Sequence, residues 1–482
     1  MTMCRYVSKV VVAVGVLALL CGSAVQSAGN HRSVRLADIP ATSCRRHAFS
    51  IEDFGAVGDG TTSNTKVFKT AISRLANYSN QGGSLLYVPA GKWLTGSFNI
   101  TASHFTLFLE KGAILLASQD EHEWPVMAPL PSYGRGRDTV GGRYSSLIFG
   151  TNLTDIIITG RNGTLDGQGQ LWWDKFHGGK LTLTRPYLIE IMYTTNLEIS
   201  NITLLNSPSW NIHPIYSQNV VVTGVTILAP VRSPNTDGIN PDSCANVRIE
   251  NSFIVSGDDC IAVKSGWDQY GIKFGMPTKQ VVIRKVTCVS PTSAAIALGS
   301  EMSGGISDVR IEDVTALNTE SGIRIKTAVG RGGYVRDIYA RRMVMKTMKW
   351  VFWMSGSYGS HPDNKFDPKA YPEVKNINYR DMVAENVTMA GWLSGIKGDP
   401  FKDICISNVT VRLAAQPKKI QWNCTDISGV SRGVSPKVCG LLPETTLSAN
   451  GGCRFPEDGM SWTRNSVGVC SYGNDGALLY GM

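Results

Sequence analysis

The sequence has few charged residues for its length. Asp, Glu, Lys and Arg together make up 18% of the 482 residues, which argues against coiled coils and long solvated helices. Hydrophobic residues make up 43%, which is enough for a large core and excludes wholesale disorder. The length corresponds to about three domains of ordinary size or to one long array of repeats.

Several functional signatures are also missing. The sequence contains no Cys-x-x-Cys pair, no His/Cys spacing typical of a zinc site and no Gly-rich phosphate loop. No RNA- or DNA-binding module is visible. We therefore expect no metal, no cofactor and no nucleic-acid partner. Glycine, by contrast, is abundant with 50 residues, which indicates many tight turns.

The N-terminal residues 1–24 have the pattern of a secretory leader. Arg5 and Lys9 are followed by the apolar run Val10–Cys21 and by small residues at 22–24. The run is short for a membrane span, and an uncleaved anchor is the alternative interpretation. No other segment approaches about 18 uninterrupted apolar residues. The formal net charge of +9 favours a polyanionic partner, although weakly. We expect a secreted protein without stable membrane association.

The cysteine content fits an oxidising compartment. Of eleven cysteines, nine remain once the leader with Cys4 and Cys21 is removed. Most should pair, and the odd number leaves at least one free thiol. Four of the nine fall between residues 424 and 470, so residues 416–482 should form a stapled, Cys-rich tail. Eight sequons are compatible with glycosylation during secretion; they are Asn77, Asn99, Asn152, Asn162, Asn201, Asn386, Asn408 and Asn423.

One short capping helix is expected near the start of the mature chain. Asn64 or Thr65 can cap a segment whose apolar side chains all fall on one helical face. These side chains are Val67, Phe68, Ala71, Ile72 and Leu75.

The remainder of the chain consists of repeats. Each repeat is an alternating β-branched strand, a short corner and a second strand. A period in the twenties with strands and no helices is typical of a parallel β-solenoid, whose stacked coils share one core. We therefore predict an all-β parallel β-helix over residues 48–415, with a β-sandwich as the alternative. Strong copies begin at 196, 219, 246, 280 and 308, which are 23, 27, 34 and 28 residues apart, and weaker copies begin near Asp155, Asp337 and Asp403.

Three acids stand at similar places in neighbouring repeats. Asp237 precedes the apolar strand at Ile239, and Asp258 and Asp259 precede the strand at Cys260. Asp237 and Asp258 are 258 − 237 = 21 residues apart, about one coil, so the carboxyl groups should cluster and at least one pKa should rise. Such a cluster suits glycosidic cleavage, in which one acid protonates the leaving oxygen and another activates water. Turn capping and a calcium site are the alternatives.

Cations are expected beside these acids. Alternation puts Arg324 and Lys326 on the same side of one strand, where they would hold an anionic substrate or merely neutralise the acids. Lys264 and Trp267 could flank a sugar-binding groove, and Trp267 could equally pack against the solenoid. His213, one coil before the first acid, is expected to be a structural or rim residue rather than a base.

At these positions the sequence resembles the polygalacturonases, the pectin-cleaving glycoside hydrolases of family 28, and especially their plant-type branch. The similar motifs, in the family's order, are Asn235-Thr-Asp, Gly257-Asp-Asp and Arg324-Ile-Lys. The resemblance extends from about residue 54 to about residue 413 and implies a right-handed, single-stranded parallel β-helix. It also implies hydrolysis of α-1,4-galacturonosyl bonds with inversion.

The resemblance assigns the roles of the family's functional residues to the matching positions of this sequence. Asp258 would be the proton donor, and Asp237 and Asp259 would hold and activate water. The substrate's carboxylate would be bound by Arg324 and Lys326, with Asn235 in the same subsite. We also count Lys264 and His213 among the candidate substrate-binding residues.

One family motif is missing. Where the family has Gly-His-Gly, this chain reads Ser293 to Glu301, with Ala294 about where the histidine would fall. Plant-type relatives similarly carry Gly-Ser-Glu, as at residues 299–301 here. The expected coil spacing of about 4.8 Å also brings the carboxylates closer than the roughly 6.5–9.5 Å typical of inverting enzymes. We follow the family and predict inversion.

The sequence is compatible with three functions. The first is a secreted cell-wall pectin hydrolase that acts as a monomer on a polyanionic pectic polysaccharide. The second is a β-helix pectin lyase, whose acids would hold Ca²⁺ while a basic residue abstracts a proton. The third is a pectin-binding wall protein without turnover, suggested by the missing histidine. Attack on chain ends or chain interiors depends on the loops Pro125–Arg143 and Met354–Glu373.

Overall fold

The computed structural model describes residues 39–445, 452–457, 468–473 and 475–481. The leader predicted at residues 1–24 lies outside this part of the chain. Within the described residues, none of the helices has both the length and the apolar character needed to cross a membrane.

Strands dominate the described residues, with short helices between them. The α-helices are α1 (Thr65–Leu75), α2 (Gln170–His177) and α3 (Asp268–Phe274), and short 3-10 helices cover Ile51–Phe54, Ala76–Tyr78 and Glu121–Glu123. The first strands are β1 (Ile39–Ala41), β2 (His47–Ser50), β3 (Ser84–Val88), β4 (Gly91–Thr95), β5 (Phe98–Ile100), β6 (Phe105–Leu109), β7 (Ala113–Ala117), β8 (Val126–Met127), β9 (Arg143–Tyr144), β10 (Ile148–Thr151), β11 (Thr154–Gly160), β12 (Gly163–Asp166), β13 (Ile189–Met192), β14 (Thr195–Ser200) and β15 (Ile202–Leu205). The later strands are β16 (Ile212–Ile215), β17 (Gln218–Thr223), β18 (Thr226–Leu228), β19 (Ala245–Val255), β20 (Ile261–Val263), β21 (Thr278–Val289), β22 (Ala294–Leu298), β23 (Ile306–Lys326), β24 (Tyr334–Ser355), β25 (Glu373–Ser394), β26 (Phe401–Leu413), β27 (Trp422–Thr425), β28 (Ile427–Ser435), β29 (Gly468–Tyr472) and β30 (Leu478–Gly481).

Most strand pairs are parallel and join one turn of the chain to the next. Strand β16 pairs with β13, β17 with β14 and β18 with β15, so that one coil of three strands lies on the preceding coil. The same parallel pairing joins β19 to β21, β21 to β23, β23 to β24 and β24 to β25. The predicted right-handed parallel β-helix is therefore confirmed, and the β-sandwich alternative is wrong.

One of the faces of the solenoid carries the predicted site and is called face 1. It consists of β5, β10, β13, β16, residues 239–242, β20, β22, the last residues of β23, β24 and β25, and β27. Alternate side chains along each strand point into the core and out of the solenoid. The inward side chains form a stacked column that is at most 1% exposed, made of Ile212, Ile239, Ile261, Ile296 and Ile323.

The corner that starts each repeat is a residue in the left-handed backbone region. Asn196, Asn219 and Asn246 have φ values of 62°, 56° and 57°, a region that Asn and Asp tolerate better than most residues. Their side chains form a ladder, because each later amide donates to the carbonyl of the amide one coil earlier, at 2.9 and 2.8 Å. The same corner explains the predicted weaker copies, since φ is 59°, 56° and 54° at Asp155, Asp337 and Asp403.

Helix α1 begins at Thr65, as predicted, and packs against β3, β4 and β5 at the N-terminal end of the solenoid. Phe68 on its buried face stacks on Phe98 of β5, with 4.7 Å between the ring centroids. The side chain of Asn64 does not cap the helix; its amide instead donates to the carbonyl of Leu94 at 3.2 Å.

Four disulfides and one free thiol account for the nine cysteines in the described residues. The bridges are Cys44–Cys470, Cys260–Cys288, Cys405–Cys453 and Cys424–Cys439, while Cys244 is free and buried. The prediction that most cysteines pair and that an odd thiol is left over is confirmed.

The parallel ladder extends beyond residue 415, where the sequence predicts the tail to begin. Strands β27 and β28 pair in parallel with β25 and β26. The ladder therefore continues to Ser435, because residues 422–435 provide one more layer of strands for the core. The division of the whole chain into leader, solenoid and tail otherwise stays a prediction.

Candidate active site

The three predicted acids lie at the entrance to two neighbouring strands of face 1. Asp237 and Asp259 each stand two residues before an isoleucine of the inward column, and these isoleucines, Ile239 and Ile261, are bridged to each other. The two aspartates are therefore in register on adjacent coils. One carboxylate oxygen from each of Asp237, Asp258 and Asp259 lies within 4.8 Å of the other two. The structure thus brings the acidic trio together, as the repeat spacing predicts.

The turn before β20 is fixed by close backbone contacts. The hydroxyl of Ser256 accepts a hydrogen bond from the N–H of Asp258 at 3.0 Å and donates to the carbonyl of Thr236 at 2.8 Å. Gly257 leaves no room for a side chain, because a Cβ at that position would lie 2.1 Å from the carbonyl oxygen of Ser233. The glycine of the Gly-Asp-Asp motif is therefore required by the approach of the preceding coil.

Asp259 is a buried carboxylate held by donors. It is 1% exposed and accepts hydrogen bonds from the Nζ of Lys326 at 2.6 Å, the hydroxyl of Ser293 at 2.6 Å and the N–H of Ala294 at 3.0 Å. Burial by itself raises the pKa of Asp259, but the charges of Lys326 and Arg324 and these hydrogen bonds outweigh it and lower the pKa to about 2. Asp259 is therefore ionised.

Asp237 has the opposite environment. It is 3% exposed, and its nearest cation, the Nζ of Lys264, is 3.8 Å away. Burial, together with the charge of Asp258, raises the pKa of Asp237 to about 8, and the charge of Lys264 offsets only part of this effect. The expected rise of one pKa in the cluster is thus confirmed.

Asp258 is the member of the trio that reaches solvent, since it is half-buried while its two neighbours are buried. The amide of Asn235 donates to an oxygen of Asp258 at 3.4 Å, and the carbonyl of the same amide accepts from Arg185 at 2.8 Å. Asn235 has a φ of 54°, a value that suits an asparagine. Arg185 is a supporting residue that could not be selected from the sequence, because no motif surrounds it.

Lys264 lies behind Asp237 and is 3% exposed. Its Nζ is 2.9 Å from a carboxylate oxygen of Glu301 and 4.7 Å from the centroid of the Trp210 ring. Glu301 also pairs with Arg137 at 2.8 Å. Burial works against ionisation of Glu301, but the charges of Arg137 and Lys264 hold its pKa well below the usual range. The predictions missed the role of Glu301, although its Gly-Ser-Glu segment was a signal.

Arg324 and Lys326 project from the end of β23 beside the acids and are 7% and 6% exposed. The guanidinium of Arg324 donates to the hydroxyl of Ser293 at 3.3 Å and lies 4.9 Å from the centroid of the Trp353 ring. Both cations therefore border the acidic cluster, on the same side of their strand, as the sequence predicts.

His213 does not reach the surface of the groove. It is 0% exposed, with Nδ1 2.9 Å from a carboxylate oxygen of Glu190 and Nε2 3.4 Å from one of Asp242. A direct contact between His213 and a substrate, which the sequence suggested, does not fit this burial; both ring nitrogens already face carboxylates of neighbouring coils. Trp267 is likewise buried, with its indole N–H donating to the carbonyl of Ser360 at 3.0 Å.

The chain is similar to one family over most of its length. Residues 137–436 match the model of glycosyl hydrolases family 28, and residues 48–108 match a model described as rhamnogalacturonase A/epimerase, pectate lyase-like. Over 442 residues the chain is 65% identical to a probable polygalacturonase of Vitis vinifera, which covers 92% of this chain and 90% of that protein. The protein belongs to glycosyl hydrolases family 28. It is a glycosidase that acts on O-glycosyl bonds.

Two solved structures share the fold of this chain. An exopolygalacturonase from Thermotoga maritima matches this glycosidase with a TM-score of 0.68 and 25% identity, over 85% of this chain and 94% of that chain. A polygalacturonase from Erwinia carotovora ssp. carotovora matches with a TM-score of 0.62 and 23% identity, over 82% of this chain and 99% of that chain.

Proposed function

We propose that this family 28 glycosidase is a polygalacturonase, which hydrolyses the α-1,4-galacturonosyl bonds of pectin. The observation that carries the proposal is the acidic trio, in which one buried acid keeps a proton at neutral pH, one buried acid stays ionised, and two cations border both. Hydrolysis of a bond between acidic sugars needs this combination of acid, base and cation. The name of the 65% identical relative, a probable polygalacturonase, also supports it.

Asp258 is assigned as the proton donor, because it is the acid that reaches the groove. Asp237 keeps a proton at neutral pH, and one of its carboxylate oxygens lies within 4.8 Å of one of Asp258. That proton passes through Asp258 to the glycosidic oxygen as the C–O bond breaks. Asp237 and Asp259 hold the attacking water, which gives its proton to the cluster and its hydroxyl to the anomeric carbon.

We propose that the anomeric configuration inverts. The separation of the carboxylates is closer to that of retaining enzymes, but neither buried acid is suited to attack carbon. Asp237 is protonated below about pH 8, and both oxygens of Asp259 accept hydrogen bonds. A water molecule held between them is therefore the nucleophile.

Arg324, Lys326 and Asn235 are assigned to the substrate's carboxylate, because they border the half-exposed Asp258. The charge of Lys264 lowers the pKa of Asp237. This role does not require Lys264 to contact the sugar. Ser293, which donates to Asp259 and accepts from Arg324, connects the base to the cation directly beside Ala294, about where the family places a histidine. Activity without that histidine is therefore expected.

A calcium-dependent lyase is the less favoured alternative. A Ca²⁺ ion takes six to eight oxygen ligands. Asp259 is already bound to Lys326 and Asp237 is protonated, so neither carboxyl group is suited to bind the ion. The match to the model described as pectate lyase-like is confined to residues 48–108, before the acids. A binding protein without turnover would have no use for acids in these different protonation states.

The proposed setting is the plant cell wall, with secretion as a monomer onto a pectic polysaccharide. Seven of the eight sequon asparagines are exposed and Asn423 is half-buried, which supports glycosylation during secretion.

The test is incubation of the secreted protein with polygalacturonate in EDTA. Release of reducing ends without the ultraviolet absorbance of an unsaturated sugar is the expected result. Loss of activity in EDTA with unsaturated products would establish the lyase, and binding without product would establish the third function. Proton NMR of the first product reports the anomer, and the β-anomer is expected.

A further inference from the structure

The outward side of face 1 is covered on the two coils that precede Asp237 and on the strand residues of the coil of Asp237 itself. Residues 128–142, here called the covering segment, run between β8 and β9. Arg143, the residue directly after the segment, pairs with Glu190 of β13. Farther out, Arg137 pairs with Glu301, which follows β22, at 2.8 Å. The covering segment therefore spans face 1 from the coil of β13 to the coil of β22.

Outward side chains beneath the covering segment are shut off from solvent. Glu190, His213, Asn240 and Asp242 face outward on three successive coils and are all 0% exposed. Tyr133 of the covering segment donates a hydrogen bond to Asp242 from above. Leu130 and Tyr133 also pack in an apolar cluster on the outside of face 1. No sugar chain can lie over these four outward positions while the covering segment is in place.

Trp210 forms the wall directly behind Asp237. It stands two residues before Ile212, in the register that Asp237 occupies before Ile239. Trp210 is 3% exposed and stacks on Tyr187, with 4.8 Å between the ring centroids. The open groove therefore ends about one coil, or about 4.8 Å, before Asp237. That distance leaves room for about one sugar unit.

A second segment contacts the covering segment. Residues 356–372, which follow β24, meet the covering segment where the guanidinium of Arg135 donates to the carbonyl of Pro362 at 3.1 Å. Trp267, just before α3, donates to the carbonyl of Ser360 at 3.0 Å. The covering segment is thus held to the segment that follows β24 as well as to face 1.

Face 1 opens on the coils that follow β22. Arg324, Trp353 and Trp392 are Cα partners on three successive strands and share an outward position. Arg324 is 7% exposed, Trp353 is half-buried and Trp392 is 40% exposed. A cation followed by aromatic faces suits a chain of anionic sugar rings. The groove is therefore blocked at one end and open at the other.

We propose that the enzyme attacks polygalacturonate at a chain end. The polymer enters over Trp392 and Trp353, and its terminal unit stops against Trp210 and the covering segment. The inference rests on the proposed polygalacturonase activity and adds the mode of attack. The interior of a long chain cannot reach Asp258, because the chain would have to continue through the covering segment. The expected product is galacturonate monomer, released one unit at a time.

The test sizes the products of the full secreted protein during the first few per cent of polygalacturonate hydrolysis and follows viscosity in parallel. Monomer as the initial product, with viscosity falling only in proportion to the bonds cleaved, is expected. A ladder of oligomers with an early collapse of viscosity would overturn this inference and leave the proposed hydrolase intact. The absence of any hydrolysis would overturn both.

A pair of variants tests the direction of entry. Trp392→Ala should raise the KM for polygalacturonate about tenfold without changing the size of the product. Phe253→Ala is the matched control, because Phe253 is also 40% exposed but lies in β19, away from face 1. Equal KM values for the two variants would contradict entry over Trp392.

Discussion

The Nζ of Lys326 lies 2.6 Å from a carboxylate oxygen of Asp259, although 67 residues separate the two in the sequence. The contact crosses from β23 to the turn before β20. A cation on a later coil thereby keeps the buried carboxylate ionised and oriented beside its two acidic neighbours.

Removing this cation should shift the acid limb of the pH–rate profile. Lys326→Met deletes a charge that lowers the pKa of Asp259, so the pKa should rise and activity should be lost at a higher pH than in the wild type as the pH falls. We expect a shift of at least about one pH unit in kcat/KM. Lys375→Met, which removes a half-exposed lysine paired with Glu373, is the control and should leave the profile unchanged.

Asp237→Asn should stabilise the fold while abolishing activity. The pKa of Asp237 is raised from an unfolded value near 4 to about 8, so between these pH values the folded state keeps a proton that the unfolded state releases. Stability from this group is therefore full below about pH 4 and declines as pH rises towards 8, by at most about 1.4 kcal/mol per pH unit. Asparagine does not titrate, so urea unfolding at several pH values should show a stabilisation that grows with pH. A difference in the free energy of unfolding between variant and wild type that stays constant with pH would argue against the raised pKa of Asp237.

Asp258→Asn should remove the proton donor and leave the groove intact. We expect kcat to fall by roughly 10²–10⁴-fold, with binding of polygalacturonate retained. Asp403→Asn is a matched control, because Asp403 is an exposed corner residue at a position type that asparagine occupies elsewhere in the solenoid. Near-normal kcat in Asp258→Asn would assign the donor to another acid.

The thiol of Cys244 should be unreactive towards thiol reagents in the folded protein. It is buried and unpaired, and burial raises its pKa to about 12. Protein that begins at residue 25 should give no reaction with Ellman's reagent at pH 8 and about one thiol per chain after unfolding without reductant. More than one thiol would show that a disulfide of the solenoid is not formed.

The solenoid and its acidic trio were predictable because both depend on local repetition. Left-handed corners at Asn196, Asn219 and Asn246 mark each coil in the sequence, and register then brings Asp237 beside Asp259. Once the corners are aligned, residues on neighbouring coils can be paired by counting.

Contacts made by insertions were not predictable in this way. His213 lies against the rings of Tyr187 and Trp210. Its partner Asp242 is covered by Tyr133 of the covering segment, which has no periodicity in the sequence. The partner of Cys44 was equally hidden, because Cys470 lies 426 residues away and outside the repeats. Sequence spacing therefore located the acids but gave no account of what closes the groove around them.

The coils differ in length where the chain borders face 1. Helix α3 lies in the interval between the corners at Asn246 and Gln280, which is longer than the two intervals before it, yet the isoleucine column keeps its alignment from Ile261 to Ile296 across it. Length changes at this rim need no repacking of the interior. Proteins that share this solenoid can therefore differ in the depth of the cleft, and so in their substrates, with little effect on folding.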